Sequence, residues 1–223
     1  MSLANTVVST TIKGLTHILC RIDASQLAQV PSQGPLLLVA NHINFLDAPV
    51  MYTQLRPRPL TGFVKAETWE NPVMALLFNI WGGIPIKRGE PDMTALNMAL
   101  GALREGKIVV VAPEGTRSGD GRLKRGYPGI VVLALRSGAP LLPVAYHGGE
   151  GFRDNLSRLR RTDFHITVGQ PFTLDTGEQK VTRPVRQAIT DEIMYRIAAL
   201  LPEDYRGEYS NLEAATQTYL KLF

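Results

Sequence analysis

The chain is poor in cysteine and in long apolar runs. One cysteine, Cys20, stands among 223 residues. No intrachain disulfide can form, so a disulfide scaffold is excluded, as is a zinc site built on several thiolates. The lack of disulfides fits a reducing compartment. No stretch of roughly 18 or more consecutive apolar residues occurs, so the sequence predicts no membrane-spanning helix. The N-terminus lacks the charged start, apolar block and small-residue cleavage site of a secretory signal. Internal repeats and low-complexity blocks are missing. So are the helix-turn-helix, zinc-finger and aromatic ribonucleoprotein patterns that would turn a positive charge into a nucleic-acid reading.

What is present is a globular composition. Hydrophobic residues make up 44% and charged residues 20%, which excludes a disordered chain and a long coiled coil. The net charge of +4 is unevenly spread. Residues 117–136 carry five bases (Arg117, Arg122, Lys124, Arg125, Arg136) against one acid, Asp120. From Asp175 onward eight acids face six bases. A basic centre points to a phosphate-bearing ligand or an anionic surface.

Short apolar runs alternate with helical patterns, which predicts an α/β fold. Candidate strands are Leu36 to Ala40, Gly62 to Lys65, Ile84 to Lys87, Ile108 to Ala112, Leu141 to Tyr146 and His165 to Val168. Runs such as Ile108-Val109-Val110-Val111 are apolar on both faces, as buried central strands are. Asp92 to Glu105 reads as a helix, with Asp92 as its cap, an apolar stripe of Met93, Leu96, Leu100 and Leu103, and Gly106 as its stop. Tyr127 to Arg136 and Val185 to Leu201 are further helices. Residues 67–81 read as one helix, apolar nearly all round, that is buried or touches lipid. Near the N-terminus Val8, Ile12, Leu15, Leu19 and Ile22 recur at helical steps. That helix either packs on the core or lies in a membrane interface.

The chemistry concentrates around one strand end. The buried run Leu36 to Ala40 leads into Asn41-His42-Ile43-Asn44-Phe45-Leu46-Asp47, and Asp47 opens a helical pattern. Ligands collect at the carboxyl ends of strands in a parallel α/β sheet. A carboxylate on one imidazole nitrogen fixes the tautomer and leaves the other nitrogen free to take a proton from a hydroxyl. His42 and Asp47 are thus half of a triad without a serine, and no Gly-x-Ser-x-Gly setting supplies one. The alternative for this pair alone is a satisfied strand-end histidine. Three more segments matter: Gly83-Ile84-Pro85-Ile86-Lys87-Arg88-Gly89, where two bases leave a strand, then Val111-Ala112-Pro113-Glu114-Gly115-Thr116-Arg117-Ser118 directly after a buried strand, then Leu141-Leu142-Pro143-Val144, another apolar strand.

These four blocks, in this order, resemble the glycerophospholipid acyltransferase family, whose best-known members are the 1-acyl-glycerol-3-phosphate acyltransferases. They run from Asn41 to Val144, nearly half the chain. Lys65, in Gly-Phe-Val-Lys-Ala-Glu, matches the family's lysine after the second strand. Leu123-Lys124-Arg125-Gly126 is similar to its basic turn. Two departures stand out: Pro85 replaces a frequent Phe, and Lys87 is an added base. Many members also carry hydrophobic membrane segments, whereas about 22 residues of modest apolarity precede Asp23.

The resemblance implies a mixed, mostly parallel sheet with helices on both faces, spanning 23–223 after an N-terminal amphipathic helix at 1–22. It implies acyl transfer from a thioester, on acyl-carrier protein or coenzyme A, to the hydroxyl of lysophosphatidic acid. His42 is then the general base and Asp47 its partner. Lys65, Arg88, Glu114, Gly115, Thr116 and Arg117 are the acceptor- and phosphate-binding candidates. No metal and no held cofactor are needed; the thioester is a co-substrate. Backbone amides near Pro143-Val144 or the Asn41-His42 turn are the candidate oxyanion donors. Attachment to the cytoplasmic side of an anionic membrane is expected to be peripheral or monotopic. The rivals are another lysolipid acceptor or a non-catalytic lipid-binding module.

Overall fold

A computed structural model describes residues 3–87, 89 and 91–223 of the chain. Among the described residues one mixed sheet of nine strands carries the fold. The strands are β1 (Cys20–Asp23), β2 (Leu36–Ala40), β3 (Leu60–Lys65), β4 (Ile84–Ile86), β5 (Ile108–Val111), β6 (Leu141–His147), β7 (Thr162–Val168), β8 (Phe172–Leu174) and β9 (Leu220–Leu222). The spatial order is β1-β7-β6-β2-β5-β3-β4, with β8 and β9 paired beside β6. Strands β6, β2, β5, β3 and β4 run parallel, and β7 is antiparallel to β6.

Alternation along the central strands makes two cores. Leu37 and Val39 face one side with Val109, Val111 and Leu141. Leu36, Leu38 and Ala40 face the other with Ile108, Leu142 and Val144. Successive side chains point to opposite faces of a strand, so a strand apolar at every position must be covered twice. Helices α4 (Met93–Arg104), α5 (Gly129–Ser137) and α7 (Arg183–Ala198) cover the first face. The other is covered by α1 (Leu3–Leu19), α2 (Asp47–Gln54), α3 (Pro72–Trp81) and Phe152 of α6 (Phe152–Ser157). The six expected strands and the helix capped by Asp92, whose carboxylate accepts from Ala95 N at 2.9 Å, are all present.

Two expectations need correction. The N-terminal helix ends at Leu19, not Ile22, because Cys20 to Asp23 pair in register with Thr162 to His165 as β1. The apolar stripe read from the sequence does face inward at Ile12 and Leu19, which pack on the core, but Leu15 is exposed. Ser9 and Thr16 are buried, while Leu3, Val7, Leu15 and Ile18 are exposed, Ile18 by 67%. Polar pairs join that inward line: Trp81 Nε1 donates to Ser9 Oγ at 3.1 Å, and Asn5 Nδ2 donates to Ile80 O at 2.9 Å. The helix expected over 67–81 is broken in two. Asn71 caps α3, its Oδ1 accepting from Val73 N and Met74 N, and Pro72 takes the first helical position, where no N–H is required.

Candidate active site

The parallel arrangement of β2, β5, β3 and β4 puts their carboxyl ends side by side. His42 lies just past β2, Glu114 to Arg117 past β5, Lys65 at the end of β3 and Lys87 past β4. The expected site residues that the structure describes therefore share one edge of the sheet, in the spatial order of their strands. Arg88 lies outside the described residues.

His42 and Asp47 meet as the spacing suggests. His42 Nδ1 lies 2.7 Å from Asp47 Oδ2, and the histidine side chain keeps 20% of its surface exposed while Asp47 is buried. The same Oδ2 accepts from Ile43 N at 2.7 Å and Asn44 N at 3.1 Å. Asp47 opens α2, where a carboxylate is favoured by the exposed N–H groups of the first turn. It fixes the turn and the imidazole with one oxygen. A carboxylate on Nδ1 holds that proton in place and leaves Nε2 as the acceptor for a substrate proton.

Two asparagines that sequence reasoning passed over build the frame. Asn41, buried, pairs with Tyr146 like one more rung of the sheet: its Nδ2 donates to Tyr146 O at 2.9 Å and its Oδ1 accepts from Tyr146 N at 2.7 Å. Asn44 Nδ2 donates to Gly149 O at 2.7 Å, and its Oδ1 accepts from Leu46 N at 2.8 Å. Together they tie the β2 turn to the end of β6. Their signal in the sequence is polarity directly after an all-apolar strand, where a buried amide needs a partner.

Glu114 is placed differently from expectation. Its residue exposure is 1%, and its two carboxylate oxygens accept from His42 N and Lys124 N, each at 2.9 Å. Burial pushes its carboxyl up to about 7, against the opposing pull of those two amides and the Lys124 charge; the Asp47 charge adds to the rise. Gly115 follows at φ +65°, a left-handed conformation that glycine accepts without steric cost. Thr116 and Arg117 are exposed beyond that turn. Lys65 is half-exposed and ion-paired with Glu67 at 3.2 Å. An exposed pair of this kind is worth about 0–1 kcal/mol, so the ammonium is readily given up to a stronger anion.

The candidate oxyanion donors are otherwise engaged. The amides of His42, Ile43 and Asn44 are all held by carboxylates. Val144 lies within β6 with β2 on one side and β7 on the other, and Pro143 has no N–H to offer.

A carboxylate-held histidine at one strand end, with cations on the neighbouring ends, is an arrangement capable of acid–base chemistry on an anionic ligand. Comparison with known proteins gives the family. The family model described as Acyltransferase matches residues 21–147, more than half of the chain. The chain belongs to this family. It is similar to the chloroplastic 1-acyl-sn-glycerol-3-phosphate acyltransferase of Brassica napus, 32% identical over 132 residues, 57% of this chain and 38% of that relative. It is also similar to the lyso-ornithine lipid O-acyltransferase of Pseudomonas aeruginosa, 29% identical over 182 residues, 72% of this chain and 68% of that relative. The chain thus spans well under half the length of the Brassica relative. The crystal structure of the 1-acyl-sn-glycerophosphate acyltransferase from Thermotoga maritima has the same fold, with a TM-score of 0.58 at 20% identity, over 85% of this chain and 80% of that one.

Proposed function

We propose that this chain transfers a fatty acyl group from an acyl thioester, on acyl-carrier protein or coenzyme A, to the hydroxyl of lysophosphatidic acid, giving phosphatidic acid. The observation that carries this reading is the 2.7 Å contact between His42 Nδ1 and the buried Asp47, with the imidazole still partly exposed. His42 Nε2 takes the hydroxyl proton as the substrate oxygen attacks the thioester carbonyl carbon. The tetrahedral intermediate collapses, the carbon–sulfur bond breaks, and the thiolate takes the proton from the imidazolium. The negative Asp47 stabilises that imidazolium. The substrate supplies the nucleophile, so no protein serine and no metal is required.

Lys65, Arg88, Thr116 and Arg117 are proposed to hold the acceptor phosphate. A guanidinium can pair with two phosphate oxygens at once, which suits Arg117 at the tip of a glycine turn. Among the described residues no helix is long and apolar enough to cross a membrane. The exposed line of Leu3, Val7, Leu15 and Ile18 on α1 supports peripheral or monotopic attachment to a membrane, which we propose to be an anionic surface on the cytoplasmic side.

A second reading changes only the acceptor. The 29% identity to a lyso-ornithine lipid O-acyltransferase, over 72% of this chain, favours it. Labelled acyl-coenzyme A and labelled acyl-carrier protein, each incubated with lysophosphatidic acid and separately with lyso-ornithine lipid, distinguish the two. Labelled phosphatidic acid is the expected product. Label found only in ornithine lipid would replace the acceptor, and label in neither lipid would overturn the proposal.

A further inference from the structure

Glu114 sits in a loop whose neighbours, Thr116 and Arg117, face solvent. An acidic residue in that place reads as a ligand for the acceptor. The geometry argues otherwise. A carboxylate that binds a substrate hydroxyl needs a free oxygen at the surface, and both Glu114 oxygens accept from backbone amides inside the protein. It would also repel the phosphate that Arg117 is placed to attract.

The strand register explains what Glu114 does instead. Val39 of β2 pairs with Val111 of β5. Three residues further along each chain, His42 stands opposite Glu114, beyond the point where the backbone ladder stops. There the side chain of Glu114 replaces the missing ladder: its Oε1 accepts the His42 N–H. The same loop holds the other side of that residue, since Ser118 N donates to His42 O at 2.7 Å and Gly119 N donates to Ile43 O at 3.0 Å. The second oxygen of Glu114 accepts from Lys124 N, in the segment leading to α5. Lys124 Nζ in turn donates to Arg117 O at 2.9 Å. One buried carboxylate therefore joins the histidine backbone to both stems of the basic loop.

We propose that Glu114 is a positioning residue: it sets the place of the His42 backbone relative to the Thr116–Arg117 turn, and so sets the base against the bound acceptor. Asp47 fixes the imidazole ring and Glu114 fixes the peptide that carries it. The cost of burying the charge, visible in the carboxyl's rise to about 7, is consistent with a group kept for geometry rather than for stability. The inference rests on His42 being the general base.

The test is steady-state kinetics of Glu114→Gln, Glu114→Asp and Glu114→Ala with lysophosphatidic acid as the varied substrate, alongside thermal melts and His42→Ala. Gln keeps the volume but has one acceptor oxygen for two amide donors. Asp is shorter by one methylene and cannot span the same two amides. The expected result is a fall in kcat of about 10- to 100-fold for folded Gln and Asp variants, as for a displaced reacting group, with the acceptor KM within about twofold of wild type. Gln should retain more activity than Ala. A raised acceptor KM with unchanged kcat would overturn the inference in favour of acceptor binding. Wild-type kinetics in folded Gln and Asp variants would overturn it as well, since only the fold would then need Glu114. If His42→Ala turned over like wild type, the reading of His42 itself would fail, an outcome separable from either of these.

Discussion

Asp47 Oδ2 holds three donors at once, His42 Nδ1 and the amides of Ile43 and Asn44, within 2.7 to 3.1 Å. One oxygen thereby shapes the turn after β2 and fixes the tautomer of the histidine that the turn presents. Asp47→Asn removes the charge and keeps the shape. Its amide can still accept with one oxygen, but it cannot stabilise an imidazolium. The expected loss in kcat is about 10²- to 10⁴-fold with a melting temperature close to wild type, measured by thiol release and circular dichroism. Full activity in this variant would show that His42 works without its partner.

Asn41 makes two buried hydrogen bonds to the backbone of Tyr146. Asn41→Ala leaves that N–H and C=O without their partners in the core. The expected destabilisation is about 2–4 kcal/mol, read from urea unfolding. A loss under about 0.5 kcal/mol, the size of a neutral surface change, would mean that the pairing does not hold β2 to β6.

Glu114 ties stability to pH. Its carboxyl is raised from an ordinary 4.5 to about 7. Between those values the folded protein holds a proton that the unfolded chain has released. The contribution to stability is therefore full below pH 4.5, falls as pH rises towards 7 and levels off above it. The span is about 3 kcal/mol. Glu114→Gln removes the titration, so wild type minus variant should decline across this window in urea unfolding at stepped pH. A difference that stays flat, or rises, would contradict the buried, raised carboxyl.

Arg117 is exposed at the tip of the turn after β5, and Lys65 is already paired with Glu67. Arg117→Ala should raise the acceptor KM by about tenfold, the worth of one charge-assisted contact, without a change in folding. Lys65→Ala should raise it less, because its ammonium must first leave Glu67. Equal KM values for wild type and both variants would move the phosphate site elsewhere.

Leu15 and Ile18 lie exposed on α1. Leu15→Glu and Ile18→Glu together should weaken sedimentation with anionic phospholipid vesicles while leaving thermal melting unchanged. Undiminished sedimentation would remove this face from the membrane contact.

The central sheet was legible because its strands are short runs apolar at every position, as in Leu36 to Ala40, the pattern of a strand covered on both faces. The His42–Asp47 pair was legible because its elements are adjacent in sequence. What was hidden depends on strand order. Asn41 meets Tyr146 across 105 residues and Glu114 meets His42 across 72. No local pattern states that β5 and β6 flank β2. Strands β1, β8 and β9 run for only three or four residues, too short for a periodic signal. The polar part of the face that α1 buries was hidden for a similar reason, though Ile12 and Leu19 of the apolar stripe do pack on the core. Ser9 faces inward, where Trp81, far along the chain, gives it a hydrogen bond, and hydrophobic periodicity cannot register that.

His42 is proposed to remove the proton from the acceptor hydroxyl. Thiol release from acyl-coenzyme A and from acyl-carrier protein, with and without lysophosphatidic acid, for wild type and His42→Ala, tests it most directly. Release is expected to require both the acceptor and His42, with the variant folded as shown by its melt. Near-wild-type release from folded His42→Ala would contradict it.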